Sequence, residues 1–425
     1  MRLVYTIVWI FALPLVVARL FWRGRKEPGY RQHIAERFGF YRSPKTTKKV
    51  IWVHAVSVGE TRAAEPLIRQ LLINYPQHRI LLSHMTPTGR ATGATLFANE
   101  ISSQLVQQCF LPYDIPVFIH RLLTHFDPAL CILIETEVWP NLIHTCSQQH
   151  VPVALVNARL SPRSLRKAER LSRLMRPASA ALSCVAAQTD ADAQRIMQLG
   201  AANVTVTGNS KFDVSIPPEK IAAGQTLRAQ WGHRPVLLCA STREGEEELI
   251  LDAYKNTGIA NLLLVIVPRH PQRFDLVEQL IQQRSLTSAR RTLLAQNALP
   301  ADVQVVLGDT MGELASYYVS CDIAFIGGSL LPLGGQNLIE ACAVEKPVLI
   351  GPHTFNFDAI SRDAIAAKAA LRVADAHAIF LETATLINNT ALQTAMGHNA
   401  LTFANRHRGA TARTVALLHT LISAA

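Results

Sequence analysis

The chain has 425 residues, 49% of them hydrophobic and 17% charged, which excludes a disordered protein and leaves length for two or three domains. A net charge of +11 points to an anionic partner, yet no RNP, zinc-finger or helix-turn-helix signature accompanies it, so no nucleic acid is expected; a phospholipid surface or a phosphorylated substrate fits the charge. The seven cysteines (109, 131, 146, 184, 239, 321 and 342) lie mostly inside apolar runs without CxxC spacing, which excludes a disulfide framework and implies reduced, buried thiols.

Leu3 to Ala18 is almost wholly apolar, with Arg2 before it and Arg19, Arg23, Arg25 and Lys26 after it. The run is slightly short of the roughly 20 residues of a perpendicular membrane span, and Leu20 to Trp22 extend it if Arg19 snorkels. It is expected to be an anchor or re-entrant helix, with a soluble core helix as the alternative. The positive-inside rule would place Arg23 onward in the cytoplasm. Pro28 to Arg42 is a basic, aromatic-bearing segment that either lies on headgroups or joins the anchor to the first domain.

From Val50 short apolar runs alternate with helix-period segments. Strands are predicted at 50–56, 80–84, 105–111, 130–134, 153–156, 182–187 and 204–206. Pro217-Pro218 and the polar stretch to Arg234 mark a boundary, after which the alternation restarts with strands at 236–240, 262–267, 303–307, 323–326, 348–350 and 370–373. The fold class is therefore α/β, with two Rossmann-like, doubly wound domains facing a cleft and an N-terminal anchor helix: residues 1–26, 27–216 and 217–425.

Candidate chemistry gathers at predicted strand ends. His54-Ala55-Val56-Ser57-Val58-Gly59-Glu60-Thr61 places Glu60 in the first turn of a helix, where the dipole would favour the ionised form that a general base needs. The plain alternative is a glutamate that only complements that dipole. Glu135-Thr136-Glu137-Val138-Trp139-Pro140 offers two carboxylates that either meet hydroxyls or cations or, with Thr136, cap a helix. Arg269, between Pro268 and Pro271, can grip a phosphate. Gly308-Asp309-Thr310-Met311-Gly312-Glu313 repeats the strand, turn and helix-start pattern. In Ile326–Pro352, IGGSLLPLGGQNLIEACAVEKPVLIGP, Gly334 and Gly335 let a phosphate approach the backbone. Asn337 can bond it, and the helix-like QNLIEACAVE brings Glu340 within reach of sugar hydroxyls. Asp190-x-Asp192 imitates a metal motif but follows the good N-cap Thr189, so it reads as a helix start. Arg163 to Arg176 reads as one basic amphipathic helix, facing an anionic membrane, an acceptor or plain solvent.

Taken together, SVGET, ETEVWPNL, NARLS, TGNSKFD, STREGEEE, VPRHPQRF, GDTMGEL, GGSLLPLGGQN and GPHTFNF resemble the 3-deoxy-D-manno-octulosonic acid (Kdo) transferases of lipid A biosynthesis. The resemblance implies a GT-B glycosyltransferase with an N-terminal acceptor domain and a C-terminal domain for the CMP-activated sugar. It assigns the catalytic base to Glu60 and CMP contacts to Pro268, Arg269, Asp309, Thr310, Met311, Gly335, Gln336, Asn337 and Leu338. Glu340 goes to the ribose, and Glu137 and Lys211 to the acceptor side. It implies no cofactor and no metal, CMP-Kdo being the donor substrate, with the lipid A precursor and the inner-membrane surface as partners. Gln336 stands where the family usually has His, and Arg243 stands where His is common. The alternatives are another GT-B nucleotide-sugar transferase or epimerase, and a tethered nucleotide-binding module without catalysis.

Overall fold

The computed structural model describes residues 1–25, 27–42, 48–294 and 298–423; Lys26, counted with the basic cluster above, lies outside them. The chain divides into two compact units, Met1–Asp213 with Gly409–Ala425, and Val214–Arg408.

Unit 1 opens with α1 (Arg2–Arg23), long and apolar enough to cross a membrane. Two short 3-10 turns, Pro28–Arg31 and Ile34–Phe38, follow, with Tyr30 and Arg37 buried. The segment thus packs on the unit, Arg37 Nη2 donating to Met85 O at 3.1 Å. Then come β1 (Lys49–His54), α2 (Val58–Asn74), β2 (His78–His84), α3 (Pro87–Leu96), α4 (Ala98–Ser102), β3 (Val106–Phe110) and α5 (Pro116–Phe126). After these run β4 (Pro128–Ile134), α6 (Pro140–Gln148), β5 (Val153–Ala158), α7 (Pro162–Arg170), α8 (Ser172–Ala180), β6 (Cys184–Ala187), α9 (Asp190–Gln198) and β7 (Val204–Val206). The sheet order is β3-β2-β1-β4-β5-β6-β7, with every pairing parallel. Its strands read as continuous apolar runs because helices cover both faces. Along β1, Val50 and Trp52 join one core and Ile51 and Val53 the other.

Unit 2 comprises α10 (Pro218–Trp231), β8 (Val236–Thr242), α11 (Glu246–Lys255), β9 (Leu263–Pro268), α12 (Phe274–Gln283), β10 (Ser288–Arg290), β11 (Val305–Leu307) and α13 (Leu314–Ser320). It continues with β12 (Ile323–Ile326), α14 (Ile339–Ala343), β13 (Val348–Ile350), α15 (Asp358–Ala366), β14 (Ala370–Arg372), α16 (Ala376–Asn388) and α17 (Thr390–His407). Its parallel sheet runs β10-β11-β9-β8-β12-β13-β14. α10 lies close against α13, where a Cβ on Gly224 would come within 2.4 Å of Val319.

Three expectations are corrected. The last helix, α18 (Ala410–Ser423), belongs to unit 1 rather than to a second domain ending at 425, because Val415, Leu418 and Ile422 complete the core that α2 covers. α1 is likewise part of unit 1, not a separate piece. The basic helix over 163–176 is two, broken at Leu171, where the first ends and the second begins. The expected N-cap at Thr189 is present, its side chain accepting from Asp192 N at 3.1 Å.

Candidate functional site

In each sheet the strand order reverses beside the first strand, between β1 and β4 in unit 1 and between β8 and β12 in unit 2, where the edge pair β10-β11 is inverted as well. Ligands of doubly wound sheets bind outside the carboxyl ends of the strands at such a switch point.

At the first, the chain leaves β1 and turns at Ser57, the N-cap of α2. Glu60 folds back over that turn, Oε2 accepting from Val56 N at 2.7 Å and Oε1 from Ser57 Oγ at 3.3 Å. This capping-box arrangement fixes the carboxylate. The helix start does not leave it more acidic than usual, as the sequence suggested. Burial and the Glu135 charge push its pKa up, outweighing the Val56 N–H, Ser57 and Lys211 that pull it down. A Cβ on Gly59 would meet only Ser57 Oγ, at 3.9 Å, so packing does not demand glycine there.

Beyond β4, Glu135 takes a left-handed backbone (φ 62°), unusual for a residue with a Cβ and a mark of functional positions. Its buried carboxylate pairs with Arg159 Nε at 2.9 Å. Lys211 Nζ lies 2.5 Å from its other oxygen, an ion pair without hydrogen-bond alignment. Lys211 sits in a short turn that Asn157 holds, its Oδ1 accepting from Ser210 N at 3.1 Å, while Ser210 Oγ donates to Ala63 O on α2 at 3.0 Å. Glu137 accepts from Trp139 Nε1 at 2.8 Å, and burial with the Glu60 charge raises its pKa to about 7. Glu60, Glu137 and Lys211, picked from separate motifs, thus converge with Glu135, the other carboxylate of its motif, and with Arg159, which the sequence reading gave no role. The signal for those two was their place in ETEVWP and NARLS, each directly after a strand.

At the second switch point the buried Glu246 carboxylate accepts from three backbone N–H groups: Arg243 at 2.9 Å, Gly328 at 2.6 Å and Leu330 at 2.8 Å. It ties the loop after β8 to the loop after β12. Gly335 N donates to Gly328 O at 2.6 Å, and Gly334 and Gly335 both have left-handed φ (96° and 77°). A Cβ on Gly334 would come within 2.0 Å of Asn356 Nδ2. A Cβ on Gly328 would stand 3.4 Å from Gln336 Nε2 and 3.5 Å from Arg243 Cδ, so both side chains lie against this one glycine.

The expected helix QNLIEACAVE is shorter, α14 beginning only at Ile339 because Asn337 Oδ1 accepts from Ile339 N at 3.2 Å. Donors in this stretch therefore come from the glycine loop rather than from a long helix dipole. Leu338 is fully buried and Pro268 closes β9 inside the sheet, so neither directs a side chain outward. Arg269 is exposed, and its charge lowers the pKa of Glu340, which burial raises more. Asp309 is turned inward, accepting from Thr292 N at 2.9 Å and Thr292 Oγ1 at 2.6 Å. Thr310 Oγ1 donates to Glu313 Oε2 at 2.6 Å, whereas Met311 stands 65% exposed. Among the described residues no group of three or more His, Cys, Asp or Glu side chains is placed to hold a metal ion.

Residues 32–214 match the family described as 3-Deoxy-D-manno-octulosonic-acid transferase (kdotransferase). The 3-deoxy-D-manno-octulosonic acid transferase of Bordetella pertussis is 43% identical to this chain, covering 97% of it and 98% of its own length. The chain belongs to the Kdo transferase family. The C-terminal CMP-Kdo binding domain of WaaA from Acinetobacter baumannii is 35% identical over 43% of this chain and 98% of that one; at a TM-score of 0.39 the likeness is one of sequence. UDP-GlcNAc 2-epimerase from Neisseria meningitidis covers 88% of this chain and all of its own with a TM-score of 0.54; at 17% identity it shares the fold alone. That fold is GT-B, two Rossmann-like units each with a seven-stranded parallel sheet. For a Kdo transferase the two switch points divide naturally, carboxylates and cations in unit 1 and a glycine-rich loop with an exposed arginine in unit 2.

Proposed function

We propose that this chain transfers Kdo from CMP-Kdo to a primary hydroxyl of the glucosamine disaccharide of the lipid A precursor, in lipopolysaccharide biosynthesis, by a metal-independent, inverting displacement. Unit 1 takes the acceptor and unit 2 the donor. Glu60 removes the hydroxyl proton, that oxygen attacks the anomeric carbon, and CMP departs. Arg269 and the loop N–H groups at Gly334 and at Gln336 to Leu338 stabilise the charge growing on the leaving phosphate. Glu340 meets the ribose, and Arg243 supplies the positive charge that Gln336 lacks. Glu137 and Lys211 meet the acceptor, joined by Glu135 and Arg159. α1 anchors the enzyme to the inner membrane with both units on the cytoplasmic face.

The observation that carries this reading is the Glu60 carboxylate, fixed by Val56 N–H at a switch point with its pKa raised. A general base is worth about 10²–10⁴ in rate. Glu60→Gln should therefore remove most product, followed by mass spectrometry with CMP-Kdo and lipid acceptor, while CMP still raises the thermal midpoint. Near-normal turnover in that variant would place the base elsewhere.

A further inference from the structure

α1 has two faces. Tyr5, Thr6, Trp9, Val16 and Leu20 are partly or fully covered, whereas Val4, Phe11, Leu15 and Trp22 stand 53, 79, 75 and 65% exposed. At about 100° per residue these sets fall on opposite sides of the helix. The covered side is fastened to unit 1 along its length. At its start, Arg2 lines a cavity of about 150 Å³ together with His144, Ser147, Arg173 and Leu174. One turn on, Asn141 Nδ2 donates to Thr6 Oγ1 at 3.0 Å, and the Trp9 ring lies 6.0 Å from that of Tyr113. At its end, Arg31 Nη2 donates to Phe21 O at 3.0 Å and the Arg23 guanidinium sits 4.4 Å over the Tyr30 ring.

A helix of 22 residues is about 33 Å long, close to the roughly 30 Å of a hydrocarbon core. Crossing that core would put its ends at opposite surfaces. Yet the same folded, polar unit holds both ends and the turns near the start, and would have to enter the hydrocarbon with them. We propose that α1 does not cross: it lies in the plane of one leaflet of an anionic phospholipid membrane, its Val4–Phe11–Trp22 side among the acyl chains and its other side on unit 1. Arg2 and Arg173 at one end and Arg19, Arg23 and Arg25 at the other then share one headgroup layer, where anionic lipid attracts them. The geometry rests on the membrane-anchor reading above and narrows it to a single leaflet.

The test uses the full chain on vesicles of phosphatidylethanolamine and phosphatidylglycerol, with nitroxides on Val4→Cys, Phe11→Cys or Trp22→Cys. All seven native cysteines are buried, so the unsubstituted chain gives the blank. Depth is read from collision with oxygen against a water-soluble nickel chelate. The expected result is a similar, shallow depth at the three sites. A deep Phe11 site with shallow Val4 and Trp22 sites would overturn the in-plane geometry and leave the anchor intact. Full access of the chelate at all three sites, with vesicles present, would overturn both.

Discussion

The Glu60 carboxylate sits in a field of opposing signs, raised by burial and Glu135 and lowered by Val56 N–H, Ser57 and Lys211. A base works only when ionised, so activity should fall as pH drops through this raised value. Lys211→Met removes a cation that favours the ionised form, and the acid limb of kcat/KM should move to higher pH. Glu135→Gln removes an anion that opposes it, and the limb should move to lower pH. Each shift should be roughly half to one pH unit, about 0.7 to 1.4 kcal/mol. Profiles over about pH 5 to 9 give both; shifts of the same sign would mean that these charges do not set the Glu60 titration. Glu137, pushed to about 7 by burial and the Glu60 charge, stands beside Glu60 as a second carboxyl with a raised pKa. Two interacting carboxyls of this kind titrate as a coupled pair, so the acid limb belongs to both.

Glu246 acts at the scale of elements, since its three acceptor bonds join the loops after β8 and β12. In Glu246→Gln one of the three buried N–H groups would face an NH₂ donor. An unsatisfied buried donor costs about 1–3 kcal/mol. The variant should lose about that much in urea unfolding and bind CMP more weakly; unchanged CMP affinity would show that the two loops do not shape the donor site. Nothing in STREGEEE announces this role, because Gly328 and Leu330 lie 82 and 84 residues away. What was legible follows the same logic. Central parallel strands are unbroken apolar runs and the edge strands β3, β7 and β14 still carry apolar residues, so thirteen of the fourteen strands among the described residues could be found, whereas the edge strand β10, Ser288-Ala289-Arg290, carries no such run. The place of Glu60 in the first turn of α2 was legible because a strand, a Ser-Val-Gly turn and a helix start follow one another locally. That Glu135 could meet cations was legible too, but not which ones, because Arg159 and Lys211 arrive from the ends of other strands. The length of α14 was not either, since helical composition from Gln336 yields to two left-handed glycines and the turn that Asn337 Oδ1 makes with Ile339 N.

At the scale of the whole chain, the path leaves unit 1 after Asp213 and returns at Gly409. One carboxylate ties the departure to the return: Asp213 accepts from Gly409 N and Thr411 N, both at 2.7 Å. α18 then lays Val415, Leu418 and Ile422 into the core shared with Leu67, Ile68 and Leu71 of α2. Apolar spacing in the last helix shows that it packs, not which sheet it packs on. Ending the chain at Arg408 would uncover three side chains worth about 1.5–3 kcal/mol each. The sum, about 5–9 kcal/mol, rivals the 5–15 kcal/mol that typically holds a domain together. The truncated chain should therefore lose the folded unit 1 although every candidate site residue remains. Leu418→Ala should cost about 2–5 kcal/mol and leave a folded protein with a lower thermal midpoint. Because α18 braces the helix whose first turn carries Glu60, truncation should abolish turnover too. A truncated chain that unfolds at the full-length midpoint would mean that α18 adds nothing to the α2 side of the core.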